Sequence, residues 1–145
     1  MSITLPSTVS EDQLHLEVAR FYARHLQLLD DGDVDEWAAT CTDDCAFLLP
    51  GMTEPVRGRQ ALAAAVRKVR EELAAKGERQ RHLHVMTTVT PREDGTFRAR
   101  SYGLVISTQR GGDPRLHRMC VCEDVLVRTA DGWQVQSRRV TRDDQ

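Results

Sequence analysis

The apolar residues of this chain change their spacing once, near Gly77, and no single motif constrains the fold as much as that change. Before Gly77, Leu14, Val18, Phe21, Tyr22, Leu26 and Leu29 recur at helical intervals, as do Leu62, Val66, Val69 and Leu73. A period near 3.6 gathers such residues on one face of a helix. After Gly77 the period is two, the pattern of strands with one buried face. Asp94-Gly95 and Asp131-Gly132 are tight-hairpin pairs, and Gly111-Gly112-Asp113-Pro114 is a third turn. They divide the second half into strands expected over 81–90, 96–109, 115–128 and 133–141.

The first half carries helix punctuation. Ser10 and Gln13 form a capping box, with Glu11 and Asp12 in the first turn. Gly32 is a stop signal. Asp33 with Glu36 opens a short helix expected to run through Trp37 to Cys41. The apolar run 45–49, ended by Pro50-Gly51, reads as a short strand, and Pro55 and Gly58 as a loop before the third helix. The expected order is α-α-β-α-β-β-β-β. Helices segregated from an antiparallel meander make an α+β fold. Residues 1–10 read as a loose arm and 11–145 as one domain. A chain of 145 residues buries enough surface to need neither disulfide nor metal.

Charge narrows the function classes. The net charge is −2, with acids and bases interspersed, so there is no basic footprint for nucleic acid. No run of about 18 apolar residues is present, so no membrane span is expected. The first ten residues do not read as a secretory signal, and the expected location is the cytoplasm. Cys41, Cys45, Cys120 and Cys122 lack the spacing of a zinc ribbon and read as small buried hydrophobes.

Chemistry-bearing residues then fall on particular faces. Tyr22, Leu26 and Asp30 are four residues apart, on the stripe that must point inward. Asp30 therefore points towards the sheet from the helix end, or simply ends the helix in water; the helical phase alone leaves both open. His82, His84 and Met86 share one face of the first long strand, with Leu83, Val85 and Val89 on the other, and the pattern does not say which face is concave. Asp124 and Glu123 are acids on a later strand without a matched role. Of Arg138 and Arg139, at most one points inward, where it could bind an acidic substrate; a solvated surface position is the expected outcome.

Residues 22–47, "YARHLQLLDDGDVDEWAATCTDDCAF", with "VRGRQAL" at 56–62, "RHLHVMTTV" from Arg81, "RARSYGLV" from Arg98 and "DGWQVQSRRV" from Asp131, resemble SnoaL-like proteins of the nuclear-transport-factor-2-like (NTF2-like) superfamily. The resemblance covers about residues 11–142 in order, judged by that element pattern. It implies a cone: three helices packed on a curved, mostly antiparallel sheet that encloses a pocket. It also implies a cofactor-independent enzyme that dehydrates, cyclises or isomerises a hydrophobic small molecule, for example a polyketide-derived one. Asp30 matches an acid that, in the dehydratase-like branches, orients a strand histidine, and His82 matches that histidine. Tyr22, His84, Met86 and Tyr102 are the expected substrate contacts. Met86 stands where many relatives have asparagine. A homodimer through the outer sheet face is implied as well. "LLDDGDVDEW" and "SRRVTRDDQ" also resemble the iron-free β subunits of aromatic-ring-hydroxylating dioxygenases, which implies the alternative of a structural partner or a binding module.

Overall fold

A computed structural model describes residues 9–145; the expected loose arm, apart from Val9 and Ser10, lies outside them. Ser10 caps the first helix, α1 (Glu11–Asp31), its hydroxyl accepting the Gln13 N–H at 3.1 Å. Leu14, Val18, Tyr22 and Leu26 are all buried, so the periodic stripe is the packed face. Gly32 ends the helix at φ 86, a conformation that suits glycine. A Cβ there would also lie 2.6 Å from the Arg70 guanidinium, which would have to shift.

Helix α2 (Val34–Ala38) is shorter than the sequence predicts, and Asp33 makes no side-chain capping bond. Cys41 does not end this helix but starts β1 (Cys41–Leu48). The polar run Thr42-Asp43-Asp44 hides that strand from periodicity, because an irregularity between Cys41 and Ala46 interrupts its pairing. Val56–Arg57, expected in a loop, forms the two-residue strand β2 against β1. Helix α3 (Arg59–Lys76) and the strands β3 (Glu78–Pro91), β4 (Phe97–Gln109), β5 (Pro114–Thr129) and β6 (Gly132–Arg142) complete the order.

The six strands form one curved, unclosed sheet in the order β2-β1-β6-β5-β4-β3. Only the β1–β6 pair is parallel; the other neighbours are antiparallel. Helices cover the concave face, where Val18, Tyr22, Trp37, Phe47, Leu62, Leu126 and Val135 form the core. Burial of such side chains is worth about 1.5–3 kcal/mol each, which fixes the face that points inward.

A bulge in β3 decides the rest of the strand's facing. Val85 pairs with Tyr102 but Thr88 pairs with Arg100, so β3 holds one extra residue there. Met86 occupies the bulge at φ 55, and its side chain is 75% exposed. The extra residue reverses the alternation. His82 and His84 face inward, while Leu83 and Val85 face out. Val89, expected beside Leu83 and Val85, packs against the core instead. No helix among the described residues is long and apolar enough to cross a membrane.

Candidate active site

Between α1, α3 and the concave sheet lies a cavity of about 440 Å³. Much of its wall is apolar, from Leu26, Phe47, Val66, Leu73, Val105 and Val140. Asp30, His82 and His84 also line it, as do Arg70, Arg118 and Arg138.

Asp30 comes to this wall because it continues the buried stripe of α1 one turn beyond Leu26. Its end of the helix is tied down by Arg70 of α3, whose Nη1 donates to the carbonyls of Leu29 and Asp30 at 3.0 and 3.2 Å. A cation on the last carbonyls of a helix also complements the helix dipole. β3 is the last strand of the sheet, so one edge of its backbone lacks a neighbouring strand. The Asp30 carboxylate takes the place of one at His82: Oδ2 accepts the His82 N–H at 3.0 Å. The other oxygen, Oδ1, lies 2.6 Å from His82 Nδ1. A carboxylate can only accept, so Nδ1 carries the proton in this contact and Nε2 is left as the basic nitrogen. Nε2 has no protein partner among the described residues, and the imidazole is 31% exposed while the carboxylate is 7% exposed. The pair therefore presents one unengaged ring nitrogen at the cavity.

Deeper in the fold is a network that periodicity does not reveal. Asp124 on β5 and Arg138 on β6 are direct cross-strand partners. Arg138, expected to be solvated, is buried and forms a bidentate pair with Asp124, both bonds 2.9 Å. Tyr22 donates its hydroxyl to Asp124 Oδ2 at 2.6 Å. Arg138 Nη2 donates to His25 Nε2 at 3.0 Å, and His25 Nδ1 contacts Thr40 Oγ1 at 2.6 Å. The Thr40 hydroxyl donates to the Trp37 carbonyl, so His25 Nδ1 is the donor and the imidazole is neutral. Burial, with the Arg138 charge adding, holds His25 well below its ordinary pKa. Burial likewise pushes the Tyr22 phenol well above its usual value, with the Asp124 charge acting in the same direction. The Arg138 guanidinium also lies over the Phe47 ring, 5.0 Å from its centroid.

His84 sits between the two groups of residues. Its Nε2 is 3.6 Å from Cys122 Sγ, its Nδ1 has no partner, and Tyr22 meets the ring edge-on. Burial and the nearby Arg138 charge bring its pKa down to about 3, so it is neutral at ordinary pH. Gly103 is directly opposite on β4, and a Cβ there would lie 2.6 Å from Cys122 Sγ. Burial pushes the Cys122 thiol up to about 12, which leaves it a poor nucleophile.

Three expected substrate contacts do not reach the cavity wall. Met86 is carried outward by the bulge it creates. Tyr102 alternates with the inward Ser101 and Gly103, so it faces out, opposite Val85 and Val121 and beside Arg100. Tyr22 points inward but lies behind His84, its hydroxyl committed to Asp124. The spacing of residues assigns no site role to Asp124, Arg138, His25 or Arg118. The signal available for Asp124 is its shared parity with Cys120, Cys122 and Leu126, all four of them buried.

A family model described as the SnoaL-like domain matches residues 11–139. The chain belongs to the SnoaL-like family. Its fold is the NTF2-like, or cystatin-like, α+β arrangement. Solved structures of family-like size agree. Aln2 from a Streptomyces species is 31% identical with a TM-score of 0.84, covering 94% of this chain and 96% of that one. ActVI-ORFA from Streptomyces coelicolor is 32% identical, TM-score 0.84, covering 91% and 98%. A Catenulispora acidiphila protein, solved in complex with S-DNPA, is 35% identical, TM-score 0.76, covering 90% and 94%. Among curated sequences, the β subunit of 2-aminobenzenesulfonate 2,3-dioxygenase from Alcaligenes sp. is 22% identical over 136 residues, 88% of this chain and 90% of that one. The SnoaL-like family includes polyketide cyclases and dehydratases, and ring-hydroxylating dioxygenase β subunits are among this chain's relatives.

Proposed function

We propose that this SnoaL-like protein is an enzyme that moves protons on a hydrophobic small molecule, for example a polyketide-derived one, in a dehydration, cyclisation or isomerisation. The observation that carries this reading is the His82–Asp30 pair on the wall of an apolar cavity, with Nε2 of His82 unengaged. His82 Nε2 takes a proton from a carbon beside a carbonyl, and the C–H electron pair passes into the enolate. Asp30 stabilises the imidazolium that results. In a dehydration, the proton leaves with the departing hydroxide as water while the enolate collapses to the alkene. In an isomerisation, it returns to a different carbon. A positioned base of this kind contributes about 10²–10⁴-fold. The likeness to a protein that holds S-DNPA supports small-molecule binding in such a pocket.

The test is product analysis with polyketide-type carbonyl substrates, comparing wild type, His82→Ala and Asp30→Asn. His82→Ala is expected to lose about 10²–10⁴-fold in turnover. Asp30→Asn is expected to lose less, since it keeps a side chain beside the ring but removes the charge. Unchanged turnover in both variants refutes the mechanism.

A second reading, a structural partner of a larger subunit, is supported by the dioxygenase β subunit relative and by an apolar outer sheet face. Leu83, Val85 and Tyr102 are each more than a third exposed there. In the enzyme reading that face pairs two copies of the chain in the cytoplasm, where its four free thiols stay reduced. Analytical ultracentrifugation distinguishes the two. A homodimer alone favours the first reading, and recovery with an iron-containing large subunit favours the second.

A further inference from the structure

Arg118 is a cation of the cavity wall with no carboxylate in ion-pair contact among the described residues; Asp144, which feels its charge, is bonded to Arg142. Arg118 has the inward parity of Cys120 and Cys122 on β5 and is opposite Val105 on β4, which in turn is opposite His82 on β3. The three residues form one row across the sheet. With strands about 4.8 Å apart, the backbones of His82 and Arg118 are about 10 Å apart across that row. Both side chains line the same cavity.

The other arginines of the wall are accounted for. Arg138 is paired with Asp124, Arg70 with helix carbonyls, and Arg79 is exposed to water. Arg118 is different. Its Nε is shielded from solvent without a hydrogen-bond partner. Its Nη2 has only the His117 Nε2, at 3.3 Å. Among the described residues no carboxylate lies within ion-pair distance of it; Glu78 is paired with Arg115 and Asp144 with Arg142. A guanidinium in this state keeps most of its donor fork unused, and that fork matches the two oxygens of a carboxylate.

We infer that Arg118 anchors an ionised oxygen group of the ligand, so that the cavity takes a hydrophobic acid rather than a neutral apolar molecule. The inference rests on the enzyme reading for the identity of the ligand as substrate, but its test reads binding alone. The apolar body lies over β4, between His82 on β3 and Arg118 on β5, against Val105. The anion on Arg118 then sets which carbon of the body reaches His82 Nε2. Arg118 is a binding and specificity residue, and the proton transfer remains with His82.

The probe is 2-naphthoate, with 2-naphthylmethanol as its neutral analogue, titrated calorimetrically into wild type, Arg118→Gln, Arg118→Lys and His82→Ala. Wild type is expected to prefer 2-naphthoate. Arg118→Gln is expected to weaken 2-naphthoate about 10- to 100-fold, the range for a lost charge-assisted hydrogen bond. It should leave 2-naphthylmethanol within about twofold, since the lost bond is one the neutral analogue does not make. Arg118→Lys should recover part of the affinity. Circular dichroism checks that Arg118→Gln is folded, which its lack of an acidic partner favours. Equal binding of the two probes to wild type, absence of 2-naphthoate binding, or undiminished affinity in folded Arg118→Gln each overturns the inference. Retained 2-naphthoate affinity in His82→Ala upholds it even if turnover refutes the proposed chemistry.

Discussion

Replacing Asp124 with leucine removes both carboxylate contacts of a guanidinium that has little water to turn to. Arg138 is 6% exposed and Asp124 1%. Breaking a buried pair from one side costs about 3–5 kcal/mol, because the remaining charge is left uncompensated. Asp124→Leu and Arg138→Met should therefore each cost about that much, a large part of the roughly 5–15 kcal/mol typical of a domain. If the two losses were independent, the double variant would lose about 6–10 kcal/mol, twice the loss of either single variant. The structure predicts otherwise. With both residues apolar, no unpaired charge remains, and only the Tyr22 hydroxyl and His25 Nε2 lose a partner. Each such orphan costs about 1–3 kcal/mol. The double variant should thus be about as stable as either single one. Urea unfolding at a slightly alkaline pH, followed by Trp37 and Trp133 fluorescence, measures all four corners of the cycle. Losses that add to within about 0.5 kcal/mol would refute a buried, mutually dependent pair.

His25 and His84 are held neutral, His84 with a pKa brought down to about 3 and His25 well below its ordinary value. Below about pH 6.5 the unfolded chain binds protons that the folded chain does not, so stability falls as pH falls from there towards the folded-state values. At pH 5.5 the loss from His84 should be about 1.4 kcal/mol relative to pH 7.5 or above, with His25 adding to it in the same direction, measured by urea unfolding at both pH values. Equal stability at the two pH values would contradict the burial of both rings. Met86→Gly should stabilise the protein by about 1 kcal/mol, since the residue is in left-handed backbone and its side chain is mostly in water. A lower denaturation midpoint for this variant would show that the bulge depends on the methionine side chain.

The α+β order follows from local signals, because both periods are properties of consecutive residues. That Asp30 shares the phase of the apolar stripe of α1 is legible for the same reason, while its facing the sheet and not water came only with the packing: Leu14, Val18, Tyr22, Leu26 and Asp30 keep one phase from start to end. Strand β1 is only half legible. Its central Thr42-Asp43-Asp44 carries no alternation, and its pairing with β6 lies about ninety residues away in sequence. Met86 shows the limit of reading alternation along a strand. One inserted residue reverses every later side chain, and no glycine marks the site.

Local sequence specifies most of the elements, β2 excepted, and the phase of the apolar stripe of α1, since helical and strand periods are written in neighbouring residues. Tertiary structure alone decided which face of β3 is concave, because that depends on where α1 and α3 pack. It also decided the cross-strand register that sets Asp124 beside Arg138 and brings His25 behind them. The same register leaves Arg118 on the cavity wall without a partner. Charges buried in pairs are stable only when both members arrive together, and their arrival depends on strand pairing between distant segments, which no local pattern specifies.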